Sequence, residues 1–216
     1  MFKRLLPALI ALSALIAIAA LDGWGLPRAW GFIAKPLTTI LILAWAWPRG
    51  ADEPRMQGRL RLGLLFSLSG DICLLWPQQG FLPGLVSFLL AHLCYIGAFL
   101  TRSRLARPRL PFALYALVAG GVLSQLWPGV PAELRVPVLV YVACLSAMAA
   151  QAACWWRSQT DASASRWAAI GGGLFVASDA LIAIDRFAAP VPHAALFILT
   201  LYWLAQCGFV ASQRPR

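Results

Sequence analysis

The sequence predicts an all-α, polytopic membrane protein, a bundle of eight transmembrane helices, and three observations support this fold class. Of 216 residues, 61% are hydrophobic and only 12% are charged, whereas a soluble domain carries about 25% charged residues. The apolar residues form eight runs between charged or Pro/Gly-rich breaks, each near the roughly 20 residues that cross a bilayer. Basic residues concentrate in alternate breaks. We expect residues 1–216 to form a single membrane domain with short loops and no soluble part.

Each run is expected to be a helix, because the runs lack the period-two alternation of membrane-crossing strands. The first run allows a second interpretation. Lys3 and Arg4 precede an apolar stretch ending in Ala17-Ile18-Ala19, as in a cleaved signal peptide. The length of the stretch and the even number of helices favour a retained span. The expected boundaries, in order, are about 5–21, 29–47, 60–76, 80–100, 110–127, 134–156, 167–187 and 191–213.

The net charge of +10 would suggest a nucleic-acid partner in a soluble protein. Here the basic residues lie in short loops and orient the helices, so no nucleic acid is expected. Because cytoplasmic loops are rich in Lys and Arg, we predict a multi-pass protein of the cell (inner) membrane with both termini in the cytoplasm. The opposite end of the bundle is called the outer face, and it holds only Arg28, Lys35, Arg135 and Arg186. The fourteen basic residues on the cytoplasmic side are Lys3, Arg4, Arg49, Arg55, Arg59, Arg61, Arg102, Arg104, Arg107, Arg109, Arg157, Arg166, Arg214 and Arg216.

Ionisable residues inside spans are the first candidates for function, because each costs about 2.5–3.5 kcal/mol at a helix centre. Asp185 and Arg186, near the end of the seventh run, are instead interpreted as an interfacial pair that faces water. At ~1.5 Å per residue, six polar side chains from six different helices lie about 8–17 Å below the outer helix ends. This common depth predicts a single polar cavity that opens toward the outer face. The six residues are Lys35, Asp71, His92, Tyr141, Asp179 and Tyr202.

Several of these residues have a polar companion on the same helix face. Thr39 lies four residues after Lys35, Ser67 four before Asp71, and Gln206 four after Tyr202. Residues at this spacing share a face of a helix. Hydrogen bonds that hold helices together would produce the same pairs, so a structural and a functional interpretation both stay open.

Metal and disulfide chemistry are not favoured, and no cofactor or metal is expected. The five cysteines lie inside apolar runs without a CxxC pair, and there are only two histidines. A zinc site needs more ligands than these. The cysteines are interpreted as small apolar residues of the bundle; they are Cys73, Cys94, Cys144, Cys154 and Cys207.

The polar motifs, taken in order, resemble those of the YhhN family, which includes the animal transmembrane-86 proteins and bacterial lysoplasmalogenases. Trp203 departs from the pattern, since another Tyr is common after Tyr202. The resemblance implies an eight-helix enzyme that hydrolyses the vinyl ether bond of lysoplasmalogens to a fatty aldehyde and a glycerophospho-alcohol. It also implies that Asp71 and Asp179 are catalytic. The matching stretches are Lys35-Pro36-Leu37-Thr38-Thr39, Phe66 to Asp71, Phe88 to Tyr95 with His92, Tyr141, Gly173 to Phe187 with Ser178-Asp179, and Tyr202 with Gln206.

Vinyl ethers break by protonation on carbon, which creates an oxocarbenium ion that water captures. Glycosidases manage a similar transition state with two carboxyl groups. Our hypothesis is that one of Asp71 and Asp179 donates the proton and the other activates water, the assignment being open. Lys35 would hold the anionic partner ionised or bind the phosphate of a lysophospholipid substrate. The residues expected to orient water or headgroup are His92, Tyr141, Tyr202 and Gln206. Further substrate-binding or supporting residues are expected to be Thr39, Ser67 and Ser178.

Other functions remain open. A proton-coupled transporter also uses intramembrane Asp and Lys, but should have broken helices and inverted repeats. An intramembrane aspartyl protease should carry Tyr-Asp and Gly-x-Gly-Asp, whereas Ser178 precedes Asp179 and Leu68 stands where the first Gly should be. A zinc amidase would need more histidines, and a purely structural membrane protein needs no site.

Overall fold

A computed structural model of the chain describes residues 2–158 and 161–214, with side chains from residue 5 onward. The described residues form eight α-helices, a 3-10 turn at Trp127–Gly129 and no strand. The predicted all-α class is therefore confirmed, with a matching number of helices. The helices are α1 Phe2–Leu21, α2 Arg28–Ala46, α3 Pro54–Cys73, α4 Phe81–Phe99, α5 Leu110–Leu126, α6 Ala132–Arg157, α7 Ala162–Phe187 and α8 Ala194–Ala211.

The helices have the length and composition of membrane spans. Among the described residues, six helices are long and apolar enough to cross a bilayer, and α1 contributes a shorter apolar stretch, Leu5–Leu21. The remaining helix, α3, is less apolar because it carries Arg55, Arg59, Arg61 and Asp71. Together these features describe a multi-pass membrane protein.

Two helices begin earlier than the hydropathy predicts. Helix α3 begins at Pro54 rather than near residue 60, because proline suits the first helical position, where its missing N–H has no intrahelical partner anyway. Helix α7 begins at Ala162 rather than near residue 167. In both cases polar residues form the first turns, so the apolar run starts later than the helix.

Neighbouring helices pack in pairs, and α5 lies at the edge of the bundle. Helix α1 packs on α2, α3 on α4, and α7 on both α6 and α8. Helix α5 packs mainly on α6 and buries only Pro111 and Leu126. Most of its surface is therefore free to face lipid.

Hydrogen bonds between buried hydroxyls tie α1 into the bundle. The Ser13 hydroxyl lies 3.1 Å from the Ala34 carbonyl of α2, and the Thr38 hydroxyl lies 2.9 Å from that of Ser13. Helix α1 thus packs against α2 as a member of the bundle.

Ion pairs gather alternate loops at one end of the bundle. Arg102 in the α4–α5 loop bonds Glu53 in the α2–α3 loop at 2.6 Å. Arg214, after α8, lies 3.3 Å from Asp52 and 3.4 Å from Asp161, which precedes α7. The loops predicted to face the cytoplasm therefore meet at the same end. Of the fourteen basic residues assigned to this side, Arg216 and the side chains of Lys3 and Arg4 lie outside the described residues.

Small residues on α3 allow the aromatic core to approach its backbone. A side chain at Gly70 would place its Cβ 2.5 Å from the Phe88 ring, and one at Gly63 would overlap the Tyr95 ring. Both rings belong to α4, so the two glycines explain how α3 and α4 pack closely. This packing brings the end of α3, with Asp71, into the centre of the bundle.

Candidate active site

Asp71 is at the centre of a buried group of polar residues from α2, α3 and α8. Its Oδ2 accepts hydrogen bonds from the Thr39 hydroxyl at 2.6 Å and from the Tyr202 hydroxyl at 2.7 Å. Its Oδ1 lies 3.6 Å from Lys35 Nζ. The Trp203 indole N–H donates to Thr39 Oγ1 at 3.3 Å. These five residues are called the Asp71 cluster.

The Asp71 cluster is closed and electrostatically paired. The Asp71 residue is 1% exposed, and the side chain of Lys35 is 9% exposed. One cation and two hydroxyl donors face the carboxylate, and each of these stabilises its anionic form. A buried ion pair of this kind is strongly destabilised when one partner is removed. The arrangement surrounds the Asp71 carboxyl group with partners on both oxygens.

Asp179 is in a different group, formed by α4, α6 and α7. The Tyr141 hydroxyl donates a short hydrogen bond to Asp179 Oδ2. His92 Nε2 lies 3.1 Å from the Tyr141 hydroxyl and 3.8 Å from Asp179 Oδ2. These three residues are called the Asp179 cluster. Within the described residues Asp179 has no hydrogen-bond donor on Oδ1, so one carboxylate oxygen is free.

The hydrogen bonds assign the protonation of His92. Because the Tyr141 hydroxyl uses its proton toward Asp179, its oxygen accepts from His92, and Nε2 must carry a hydrogen. His92 Nδ1 is buried and has no partner among the described residues. The ring packs edge-on against Phe175, with ring centres 4.8 Å apart. His92 is thus held as a donor that points at the tyrosine and the aspartate.

Asp179 faces a cavity of about 100 Å³ between α4, α5, α6 and α7. Its wall contains three polar side chains, those of Tyr141, Ser146 and Asp179, and is otherwise apolar. Helix α5 contributes Val118, Ala119, Val122 and Leu123 to the wall. No member of the Asp71 cluster lines this cavity. The site can therefore hold an apolar chain with a carboxyl group beside it.

Aromatic rings lie between the two clusters. The Phe175 ring packs on Tyr202 of the Asp71 cluster at 5.5 Å between ring centres, and also on His92 of the Asp179 cluster. Phe88 packs on Tyr202 at 5.7 Å and on Phe175 at 6.3 Å. The expectation of a single polar cavity is therefore wrong. A common depth along the helices does not show which aromatic rings stand between the polar residues.

Three of the predicted supporting residues belong to neither cluster. Ser67 pairs with the Tyr95 hydroxyl at 3.1 Å rather than with Asp71. Ser178 donates to the Ile198 carbonyl at 3.1 Å and so joins α7 to α8. Gln206 is fully buried, and its side-chain amide has no partner among the described residues. These residues lie near the site without touching either carboxylate.

The sequence reasoning missed the aromatic layer and Trp203 as parts of the site. A signal for the layer was present: Phe88 lies four residues before His92, and Phe175 four before Asp179. At that spacing the ring covers the same helix face as the polar group. Trp203 gave no such signal, because it follows Tyr202 directly and adjacent residues point to different sides of a helix.

Two features bear on the alternative functions. The helices that carry Lys35, Asp71, His92, Tyr141, Asp179 and Tyr202 each run unbroken through that residue, unlike the interrupted helices expected of many transporters. Among residues 2–158 and 161–214, no three His, Cys, Asp or Glu side chains come together as a metal site. The chemistry that this site offers is that of a carboxyl group, a tyrosine and a histidine.

Comparison with known proteins agrees with the motifs. The model of the YhhN family matches residues 30–213. The chain is 34% identical to the human lysoplasmalogenase TMEM86B over 177 residues, which are 81% of this chain and 71% of the relative. It is 34% identical to the bovine lysoplasmalogenase TMEM86A, covering 68% of this chain and 62% of the relative. A lysoplasmalogenase of Mycobacterium tuberculosis (strain CDC 1551 / Oshkosh) is 39% identical, over 57% of this chain and 48% of the relative. No solved structure is significantly similar.

Proposed function

Because the chain belongs to the YhhN family, we propose that it is a membrane-embedded hydrolase that cleaves the vinyl ether bond of lysoplasmalogens or of a related lysolipid. The products are a fatty aldehyde and a glycerophospho-alcohol. One observation carries the proposal: a carboxyl group, Asp179, bonded by Tyr141 and facing His92, lies in the wall of an otherwise apolar cavity. An alkenyl chain fits the apolar wall, and its reactive double bond then lies beside an acid.

The reaction begins with transfer of a proton to carbon. A carboxylic acid gives its proton to the second carbon of the alkenyl chain, and the double-bond electrons form the new C–H bond. The ether oxygen shares its lone pair, which leaves an oxocarbenium ion at the first carbon. Water adds to this carbon and loses a proton, and the resulting hemiacetal divides into aldehyde and alcohol. One water molecule is consumed, and the proton is returned.

Asp179 is the acid of this scheme. Tyr141 bonds Oδ2, which leaves Oδ1 to hold and deliver the proton. After the transfer, the carboxylate lies beside the positive oxocarbenium and then removes a proton from the attacking water. A single carboxyl group acts as acid and base in successive steps of retaining glycosidases in the same way. Tyr141 and His92 hold the carboxyl group in position through both steps.

Asp71 has a different role, although both aspartates are needed. It does not reach the cavity, and its carboxyl group pairs with Lys35 and accepts hydrogen bonds from Thr39 and Tyr202. Because an ion pair carries no net charge, we assign Asp71 a positioning role: it joins α2, α3 and α8 behind the aromatic rings on which His92 packs. Lys35 pairs with Asp71 rather than binding the substrate phosphate. Ser67, Ser178 and Gln206 support the helices around the two clusters.

The direction of the molecule in the membrane forms part of the proposal. We assign the basic loops and both termini to the cytoplasm and the cell (inner) membrane as the location, because basic loops are retained on the cytoplasmic side. The lysophospholipid then enters from the outer leaflet, where its headgroup stays in water while its chain reaches the cavity.

The test is aldehyde release by the purified protein in heavy water. Detergent-solubilised protein is given a 1-alkenyl lysolipid, and the aldehyde is analysed by mass spectrometry. Protonation on carbon by an exchangeable acid places one deuterium on the carbon next to the aldehyde group. The matched saturated 1-alkyl lysolipid must stay intact, because it has no double bond to protonate.

Absence of aldehyde from 1-alkenyl lysolipids with choline, ethanolamine and other headgroups would overturn the proposal. Release of aldehyde without deuterium on that carbon would overturn the mechanism but leave the activity. Uptake of lysolipid into proteoliposomes without cleavage would favour the transporter.

A further inference from the structure

Only four basic residues were assigned to the outer face, and they occupy different positions in the structure. Lys35 is paired with Asp71 inside the bundle. Arg28 begins α2, a helix that contributes no residue to the cavity wall. Arg135 and Arg186 lie on α6 and α7, the two helices that supply Tyr141 and Asp179 to the cavity. Of the three arginines at the outer face, Arg135 and Arg186 are thus the two on helices that line the cavity.

Arg186 stands above Asp179 on the same side of α7. It follows Asp179 by seven residues, which is two helical turns and about 10.5 Å along the axis. Ala183 and Phe187, between and beside the two, line the cavity. The guanidinium lies 3.8 Å from the centre of the Phe81 ring, another wall residue. Arg186 is therefore at the outer end of the cavity.

Arg186 is held in place by one hydrogen bond, which occupies only part of its donors. One of its N–H groups donates to the Pro77 carbonyl in the α3–α4 loop at 3.2 Å. Among the described residues, its other donors have no protein partner and no carboxylate pairs with it. A guanidinium with free donors, stacked on an aromatic ring, is suited to bind a phosphate through two parallel hydrogen bonds.

Arg135 approaches the same place from α6. It precedes Tyr141 by six residues, about 9 Å along the helix, and precedes the wall residue Val138 by one turn. Its Nε donates to the Val130 carbonyl at 3.4 Å. Val130 belongs to the small apolar cluster against which Phe187 packs. Its guanidinium also lies 5.3 Å from the centre of the Trp127 ring. The two arginines therefore lie toward the outer ends of the two packed helices that carry Tyr141 and Asp179.

We propose that Arg186, with Arg135 opposite it, forms an anion subsite for the phosphate of the lysolipid substrate. The inference rests on the proposed function and extends it to the headgroup. Six bonds separate the first alkenyl carbon from phosphorus, and an extended chain of that length spans about 7.6 Å. A guanidinium contact to the phosphate oxygens adds a few ångströms more. The sum is close to the rise of about 10.5 Å along α7 between Asp179 and Arg186. A phosphate held by Arg186 therefore places the vinyl ether at the level of the carboxyl group.

The experiment compares two substrates with the same alkenyl chain, 1-alkenyl-glycerophosphocholine and 1-alkenyl-glycerol, on protein in uncharged dodecyl maltoside. The measured quantity is the ratio of their kcat/KM values. Arg186→Gln is expected to lower this ratio about tenfold, since hydrogen bonds to a charged group are lost. Arg186→Lys keeps the charge and restores part of the ratio. Arg28→Gln removes a charge from the same face and should leave the ratio at its wild-type value.

A second measurement does not depend on cleavage. Binding of the saturated 1-alkyl-glycerophosphocholine, followed by tryptophan fluorescence, should weaken about tenfold in Arg186→Gln for the same reason. If the wild type cleaves neither alkenyl substrate, the proposed function fails and this binding difference still decides the subsite. Competition by inorganic phosphate that Arg186→Gln removes would support an anion site that also accepts free phosphate. An unchanged substrate ratio and unchanged binding in the double variant Arg135→Gln/Arg186→Gln would overturn the subsite.

Discussion

Asp71 and Asp179 both lie inside the bundle on helices that run in the same direction, yet their surroundings differ in every respect that matters for chemistry. Asp71 faces a lysine and two hydroxyl groups and does not reach the cavity. Asp179 has one tyrosine donor, a histidine nearby, and a cavity in front of it. The depth of a carboxylate in a membrane therefore does not define its role. The partners of the two aspartates differ, and so does their access to the cavity.

The largest effect on activity is expected from replacing Asp179. Asp179→Asn should lower kcat by about 10²–10⁴, the usual contribution of a positioned acid–base group. Folding should be retained, because an amide oxygen can still accept the Tyr141 hydrogen bond. Aldehyde release measures the first expectation and thermal unfolding in detergent the second. Full activity in this variant would remove Asp179 from the reaction.

Replacing Asp71 is expected to act mainly on the free energy of unfolding. Asp71→Asn leaves Lys35 buried without its counter-ion, and loss of one partner of a buried pair costs about 3–5 kcal/mol. The double variant Lys35→Met/Asp71→Asn removes both charges and should recover much of the loss. Unfolding in mixed micelles compares the three proteins. If Asp71→Asn were as stable as the wild type, the Lys35–Asp71 pair would not stabilise the bundle.

Two hydroxyl deletions sharpen the contrast between the clusters. Tyr141→Phe removes the hydrogen-bond donor to Asp179. It should lower kcat about tenfold, near the value of a lost hydrogen bond to a charged group. Tyr202→Phe removes a hydrogen-bond donor to Asp71. It should instead lower the free energy of unfolding by about 1–3 kcal/mol. Steady-state kinetics and thermal unfolding are measured on both variants. If the two variants changed kcat and stability equally, the two clusters would not differ in role.

The smallest expected effect concerns the cavity wall. Val122→Ala on α5 removes two carbon atoms from the wall and should shift the preferred alkenyl chain toward a longer one. Each extra buried methylene contributes about 0.8 kcal/mol, or about fourfold in kcat/KM. The matched control is Leu117→Ala on the same helix, because Leu117 is 74% exposed and is not part of the wall. A shift of similar size in the control would mean that the change acts through the helix and not the cavity.

The fold could be predicted from the sequence because lipid imposes strong rules. Long apolar runs must be helices, and alternate basic loops fix their directions. The errors fall where these rules are silent. Pro54 begins α3 in a stretch of arginines that hydropathy assigns to a loop. Helix ends are decided there by backbone geometry and not by the membrane.

The candidate site was predictable residue by residue but not as an arrangement. Intramembrane charges are costly enough to stand out, and the spacing of Lys35 and Thr39 correctly placed them on one face, where both contact Asp71. The division into two clusters was not predictable. In lipid the outer faces of helices are as apolar as the inner ones, so periodicity does not show that Phe175 points inward between Tyr202 and His92.

Helix α5 carries one consequence for how this architecture can vary. One side of it forms part of the cavity wall, while most of its remaining surface is not covered by protein. Apolar substitutions along it disturb no ion pair and little interior packing, so they are tolerated singly. Small steps on this helix can therefore change the shape and length of the cavity, while Tyr141 on α6 and Asp179 on α7 keep their positions.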